Sequence, residues 1–285
     1  MPIVSTAVSF VIALLAGAFG SVLGIGGGLF IIPSLTLFLG VHLKTAIAAS
    51  IVAVIATSLG GGNVYVRRHV ADVRLGLLLA LATAPSAVIG ALLATSVNPR
   101  VLAAVFALVL AVSAYRMLRG RRQAPAAPRD KGETAGEGRL RMRDRFWDDA
   151  SRQTIVYHVR NIPIGVGASS VAGLISGLLG VGGGIVQVPV MTLLMGVPIK
   201  VATTTSTYVI GITAMAGAFV YYNHKPSYID PALAIPVTIG VFLGASIGSQ
   251  ILSRLSQRLL RDLFTVVLLV YAVQMTLRIF GIGGG

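Results

Sequence analysis

The sequence predicts an all-α polytopic integral membrane protein. It is made of two inverted-topology repeats of about five hydrophobic segments each, with broken or re-entrant helices at two Gly-x-Gly-Gly-Gly motifs. Three observations carry that prediction: an apolar and charge-poor composition, a regular succession of apolar runs, and an internal duplication.

Of the 285 residues, 55% are hydrophobic and 11% charged, and the mean hydropathy is +0.86. A soluble domain spreads about 25% charged residues over its surface, so a chain of this composition turns its apolar faces to lipid. Its charges are also concentrated. Twelve of the 23 Lys and Arg, and six of the nine Asp and Glu, lie between Arg116 and Arg160. The other acids, Asp72, Asp230 and Asp262, fall at expected helix ends. In a membrane protein a net charge of +14 sets orientation rather than recruiting nucleic acid; the expected partners are the lipid bilayer and a small anionic substrate, with a homodimer left open. The chain has no cysteine, which excludes disulfides, thiolate chemistry and Cys-based metal sites. Met1 to Gly20 has no basic residue before its apolar run and reads as a first helix rather than a cleaved leader.

A spanning helix needs about 20 mostly apolar residues. Apolar runs occur near 3–23, 29–40, 45–66, 75–95 and 101–118, and again near 163–179, 185–197, 201–222, 232–252 and 259–280. The second run of each set is short for a crossing, which makes it a half-helix or re-entrant arm. Between the sets, Ala124 to Gly138 is rich in Pro, Gly and charge and reads as a flexible loop. Trp147 and Tyr157 are expected at the membrane interface where the chain re-enters.

The two sets are copies: Gly20 to Val66 aligned without a gap on Ser176 to Tyr222 gives 17 identities in 47 positions. Matches include Gly24 with Gly180, Gly26 to Gly28 with Gly182 to Gly184, Pro33 with Pro189, Lys44 with Lys200, Ser50 with Ser206 and Tyr65 with Tyr221. Five segments per copy, or three crossings if the first two form a hairpin, are odd numbers, so the copies face opposite ways. Placing the central loop in the cytoplasm puts 19 basic residues inside and four (Lys44, Arg100, Lys225, Arg278) outside, as the positive-inside rule requires. The expected organisation is a first transmembrane repeat at 1–118, a charged cytoplasmic loop at 119–161 and a second, inverted repeat at 162–285, with both termini outside.

Gly24-Ile25-Gly26-Gly27-Gly28 with Pro33, repeated as Gly180-Val181-Gly182-Gly183-Gly184 with Pro189, resembles the TauE/SafE sulfite exporter family. Lys44-Thr45-Ala46 leading to Ser50, and Val201-Ala202-Thr203-Thr204-Thr205-Ser206, extend the likeness over nearly the whole chain. The resemblance implies a multi-pass protein of the bacterial inner membrane that handles sulfite, organosulfonates or related sulfur compounds. The long charged central loop departs from the family pattern.

Three consecutive glycines cost roughly 1 kcal/mol each relative to alanine in a helix, so the helices break there. Freed backbone groups at membrane depth are tolerated only inside protein or along a cavity. A fresh helix start at Leu29 and at Ile185 aims N–H groups and the positive dipole end at one place, an anion site that needs no charged side chain. Inverted repeats bring both starts together near the midplane. The substrate-binding residues expected on this reasoning are Gly24, Gly26, Gly27, Gly28, Gly180, Gly182, Gly183 and Gly184. Neutral hydrogen-bonding side chains complete the set: Ser50, Gln187, Thr203, Thr204, Thr205, Ser206, Thr207 and Tyr208, with Ser21 nearby. Gln187 also fits an interhelical hydrogen bond, and the hydroxyls can bond back to their own helix. Asn63, Tyr65, Tyr221 and Asn223 read as interface anchors or gates.

His42, His69, His158 and His224 share no ligand spacing, and neither paired carboxylates, a serine elbow nor a phosphate-binding Gly-Lys-Ser/Thr motif is present. No enzyme, metal or cofactor is therefore expected. The function expected is secondary transport of a small anion, above all export of sulfite or a related oxyanion by alternating access. An ion-coupled importer of an organosulfonate or other organic anion, a channel and a non-transporting membrane scaffold stay as alternatives.

Overall fold

A computed structural model describes residues 3–98, 142–148, 153–224 and 228–252, together with scattered positions within 101–115 and 254–273. The expected flexible loop at Ala124 to Gly138 lies outside the described residues, as do Arg100, Lys225 and Arg278. The first half contains α1 (Ile3–Leu23), α2 (Gly28–Phe38), α3 (Leu43–Arg67) and α4 (Val73–Ser96). After a β-hairpin, β1 (Met142–Asp148) and β2 (Gln153–Val159), the second half contains α5 (Ile162–Leu179), α6 (Gly184–Leu194), α7 (Ile199–Asn223) and α8 (Pro231–Leu252).

The helices form because long apolar runs can satisfy their backbone only within the segment. By length and hydropathy α3, α4, α5 and α8 are each able to cross a membrane. α7 is less apolar because of its hydroxyl run, and that run, Thr203 to Thr207, is wholly buried. Where Ser58-Leu59-Gly60-Gly61-Gly62 widens α3 into a π turn, the missing side chains let α8 and α1 close in: a Cβ on Gly60 would lie 2.7 Å from Phe242 O, and one on Gly61 would strike Ser21 Oγ.

The halves interdigitate. α1 packs along α8 and α4 along α5, each pair joined at small residues that let backbones approach. Gly240, Gly244 and Gly248 meet Phe10, Leu14 and Ala18 in rising order, so α1 and α8 run parallel. Gly173 and Gly177 meet Thr83 and Ala87, so α4 and α5 do as well. The matched helices α3 and α7 run antiparallel, since Ile51 faces Gly217, Ser58 faces Gly211 and Gly61 faces Thr207.

After each glycine break the chain turns back. Met195 at the end of α6 returns to the start of α5, its Sδ against Gly165 and its carbonyl accepting Arg160 N–H at 2.9 Å. Asn161 Nδ2 donates to Leu194 O at 3.1 Å. In the first half, a Cβ on Gly27 would lie 3.0 Å from Ala16 O, and the Phe19 and Phe30 rings are 6.0 Å apart. α1–α2 and α5–α6 are therefore helical hairpins with glycine turns at their tips.

The hairpin β1–β2 is an addition to the all-helical expectation. It is antiparallel, with Met142 opposite Val159 and Asp148 opposite Gln153. Phe146, Tyr157 and Val159 join the main apolar core. Trp147 is 57% exposed, but Tyr157 is only 3% exposed, so the interface position expected for Tyr157 is corrected. Burial of one strand face won over an interfacial ring.

Candidate functional site

Gly24, Gly26 and Gly27 have φ of 71°, 80° and 73°, and Gly180, Gly182 and Gly183 have 66°, 85° and 75°. This left-handed region costs other L-residues roughly 1–2 kcal/mol, which is why each tip is a glycine cluster. The new helices begin at Gly28 and Gly184, one residue before the expected starts, and neither N-cap, Gly27 nor Gly183, supplies a side-chain cap. Phe30 and Ile31 N–H donate to Gly27 O, and Val186 and Gln187 N–H to Gly183 O, while the first two amides of each helix, Gly28 and Leu29, Gly184 and Ile185, have no carbonyl of their own helix to bond.

The two tips touch. A Cβ on Gly28 would lie 3.0 Å from Gly180 O and from Val181 Cα; one on Gly184 would strike Gly24 O and lie 2.7 Å from Ile25 Cα. Each tip is latched by the serine of the opposite half: Ser50 Oγ donates to Gly180 O at 2.7 Å, and Ser206 Oγ donates to Gly24 O at 2.8 Å. The same offset of 156 residues relates every partner in these two bonds. Val54 and Ile210, matched by that offset, both pack against Gly26 and Gly182. Thr57 Oγ1 adds a bond to Gly26 O at 3.0 Å.

The hydroxyl run is largely spent on the backbone. Thr203 Oγ1 bonds Lys200 O, Thr204 Oγ1 bonds Val70, Lys200 and Val201 carbonyls, and Thr207 Oγ1 bonds Thr203 O. Thr205 Oγ1 accepts Asp72 N–H at 2.9 Å. Of Tyr208, it is the carbonyl that accepts Ser58 Oγ, at 3.3 Å. The hydroxyls of Thr203, Thr204, Thr205 and Thr207, expected to face a substrate, thus bond α7 and the chain before α4, and it is Ser206 that reaches a tip. Gln187 differs. It is 1% exposed, sits one turn into α6, and its Nε2 has no hydrogen-bond partner. Its match in the first half is Ile31. Ser169 Oγ on α5 is likewise buried without a partner, and its match is Ala13.

Tyr65 and Tyr221 are corrected from interface anchors to buried ties: the Tyr65 hydroxyl bonds Ser21 O and that of Tyr221 bonds Gly177 O, each at 3.0 Å. They pin the last turn of α1 and of α5 just before the glycine turns. Asn63 and Asn223 are exposed and bond Arg67 Nε and Phe219 O.

Sequence reasoning missed the polar network at the loop end of the bundle. Asp72, 5% exposed, caps α4 through Leu75 N–H at 2.9 Å and accepts the Tyr157 hydroxyl at 3.1 Å. Burial, and then the negative charges of Asp72 and Asp144, push the Tyr157 hydroxyl well above its ordinary range, so it stays protonated and donates. A cavity of about 230 Å³ lies at the same end, lined by Tyr65, Arg68, Trp147, Lys200, Thr204 and Ser249 among others. The clue in the sequence was Lys200, a cation placed next to the hydroxyl run.

A family model described as sulfite exporter TauE/SafE matches residues 9–275. The chain is also similar to the probable membrane transporter protein YunE of Bacillus subtilis (strain 168), with 33% identity over 217 residues that cover 73% of this chain and 75% of that protein. No solved structure matches.

Proposed function

The chain belongs to the sulfite exporter TauE/SafE family, and from that premise we propose that it is a secondary transporter exporting sulfite or a related small sulfur oxyanion or sulfonate by alternating access. The observation that carries this reading is the meeting of the two glycine tips, each at a helix start without a side-chain cap and each latched by a serine from the other half. Two helix N-termini directed at one junction favour an anion through backbone amides and dipoles, and discontinuous helices that meet between repeats are the usual substrate frame of secondary transporters. In the conformation described here the tips are in contact, so the anion is admitted as the hairpins part.

The halves act as inverted repeats. The antiparallel run of α3 and α7 and the exchange of α1 with α5 as partners of α8 and α4 support this. The charge asymmetry of the chain supports a central loop in the cytoplasm and both termini outside. The substrate contacts assigned are the amides around Gly26 to Gly28 and Gly182 to Gly184, with the unpartnered Gln187 amide beside them. The hydroxyls of Ser50 and Ser206 position the tips and are released to the anion as the tips separate, and Thr203 to Thr207 are assigned beside them.

Moving one negative charge outward through about 100 mV, inside negative, releases roughly 2.3 kcal/mol. A sulfur oxyanion thus leaves downhill with no coupling ion. The test is counterflow in proteoliposomes: labelled sulfite trapped inside should exchange saturably for external sulfite or methanesulfonate. Flux that rises linearly with concentration without exchange would establish a channel instead, and uptake that demands sodium or a proton gradient would establish an importer.

A further inference from the structure

We propose that the cavity between Arg68 and Lys200 is a docking site for a small oxyanion on the side of the central loop, where the anion is loaded before it reaches the glycine tips. Among the described residues its lining holds two cations and no carboxylate: Arg68 is exposed at the end of α3, and Lys200 is buried in the first turn of α7 with its ammonium 3.3 Å from Leu255 O. A guanidinium fork binds oxyanions bidentately, and an ammonium adds a second positive charge. Tyr65, Val70, Thr204, Ser249 and Leu252, with Trp147 from the β-hairpin, form the rest of the described lining. A volume of about 230 Å³ holds an anion of a few heavy atoms with part of its hydration shell, and it falls below the roughly 300 Å³ at which pockets for larger metabolites begin.

Tyr65 on the cavity wall bonds Ser21 through its hydroxyl, three residues before the first glycine tip. Thr204 belongs to the hydroxyl run and stands two residues before Ser206, which bonds Gly24 O. The pseudo-symmetric place in the other half is built differently. There Lys44, Tyr221 and His224 match Lys200, Tyr65 and Arg68, and the Tyr228 ring occupies the space between them. That ring stacks on His224 at 4.7 Å, meets Tyr221 edge-on at 6.5 Å and lies 5.6 Å from Lys44 Nζ. The molecule is thus caught with its loop-side mouth open and the corresponding opposite mouth filled, the asymmetry that a carrier loading from the loop side requires.

This inference rests on the anion-carrier reading, but it is tested by binding rather than by flux. Trp147 is the chain's single tryptophan and lines the cavity. The full-length protein in phosphatidylcholine nanodiscs is titrated with sodium sulfite, sodium sulfate or sodium methanesulfonate at constant ionic strength while Trp147 emission is followed. We expect a saturable change with at least one of these salts. Loss of a charge-assisted hydrogen bond worth about 1.5–3 kcal/mol in Arg68→Gln weakens binding about tenfold to a hundredfold. Lys200→Met acts in the same direction, and Arg67→Gln, exposed and bonded to Asn63, leaves the curve unchanged. A response that never saturates, or that saturates alike in wild type and Arg68→Gln, overturns the assignment. So does abolition of the response by phosphatidylglycerol, which would make the site a lipid-headgroup contact. If binding is seen but none of the three anions is carried, the transport reading fails alone. If flux persists with unchanged KM in Arg68→Gln while the glycine-tip variants are dead, the docking site fails alone.

Discussion

Replacing Gly184 with alanine asks whether the two glycine tips form one packed unit. The new methyl carbon would strike Gly24 O and lie 2.7 Å from Ile25 Cα and 3.0 Å from Gly24 C. Relaxed carbon contacts are about 3.5–4.0 Å, so the tips must part by about 1 Å. Overpacking of this kind costs about 1–3 kcal/mol. Gly24 O also accepts the Ser206 hydroxyl, and losing that bond adds about 0.5–1.5 kcal/mol. Alanine returns up to about 1 kcal/mol through helix propensity, leaving a net destabilisation of roughly 0.5–3.5 kcal/mol. Gly167→Ala on exposed α5 surface, where nothing lies within 4 Å of the added carbon, receives only the propensity gain. Thermal unfolding of both variants in one detergent reads the difference. A Gly184→Ala protein that melts at or above Gly167→Ala would refute the packing of the tips.

Further outcomes can be measured in the same preparations. Gln187→Ile, which installs the residue found at the matching position 31, removes an unpartnered buried amide that costs about 1–3 kcal/mol. The melting temperature should rise while anion flux falls, and a loss of both would make Gln187 a structural residue. Ser50→Ala and Ser206→Ala should each lose about 0.5–1.5 kcal/mol and resemble one another, because their bonds are equivalent; a large effect in only one half would break the equivalence. Tyr157 is raised in the folded protein, so its contribution to stability is complete below its unfolded pKa of about 10 and declines as pH climbs above that value. Chemical unfolding between pH 8 and 11 should show this decline in wild type and less of it in Tyr157→Phe, and superimposable profiles would remove Tyr157 as the cause.

The glycine tips were legible in the sequence because no other residue occupies positive φ cheaply, and because Gly24 to Gly28 recur at a fixed offset in Gly180 to Gly184. The direction of the chain after each break was not fixed by those residues. α6 and a continuation of α5 share one apolar composition, and it takes the contacts of Met195 and Leu194 with Gly165, Arg160 and Asn161 to show the return. The hydroxyls of Thr203 to Thr207 were found, but a threonine that bonds the carbonyl four residues back looks the same in sequence as one that faces a ligand. Gln187 was singled out as an amide in an apolar helix, and its Nε2 is the one among the expected site side chains that stands buried without a partner. The β-hairpin was hidden by charge: Ile155 to Val159 alternates in burial toward its end, but the arginines and aspartates of β1 mask the pairing. The Arg68–Lys200 cavity brings residues more than a hundred positions apart to one place, which no local pattern encodes.

In the proposed mechanism, glycine tips from both halves jointly hold the transported anion. Potential-driven flux of labelled sulfite in proteoliposomes, compared between wild type, Gly28→Ala and Gly184→Ala proteins each shown to be folded and inserted, tests it most directly. Saturable flux that follows the sign of the imposed potential is expected in wild type and is lost to a similar extent in both variants, since a methyl group from either half enters the same junction. Wild-type flux in either folded variant would contradict it.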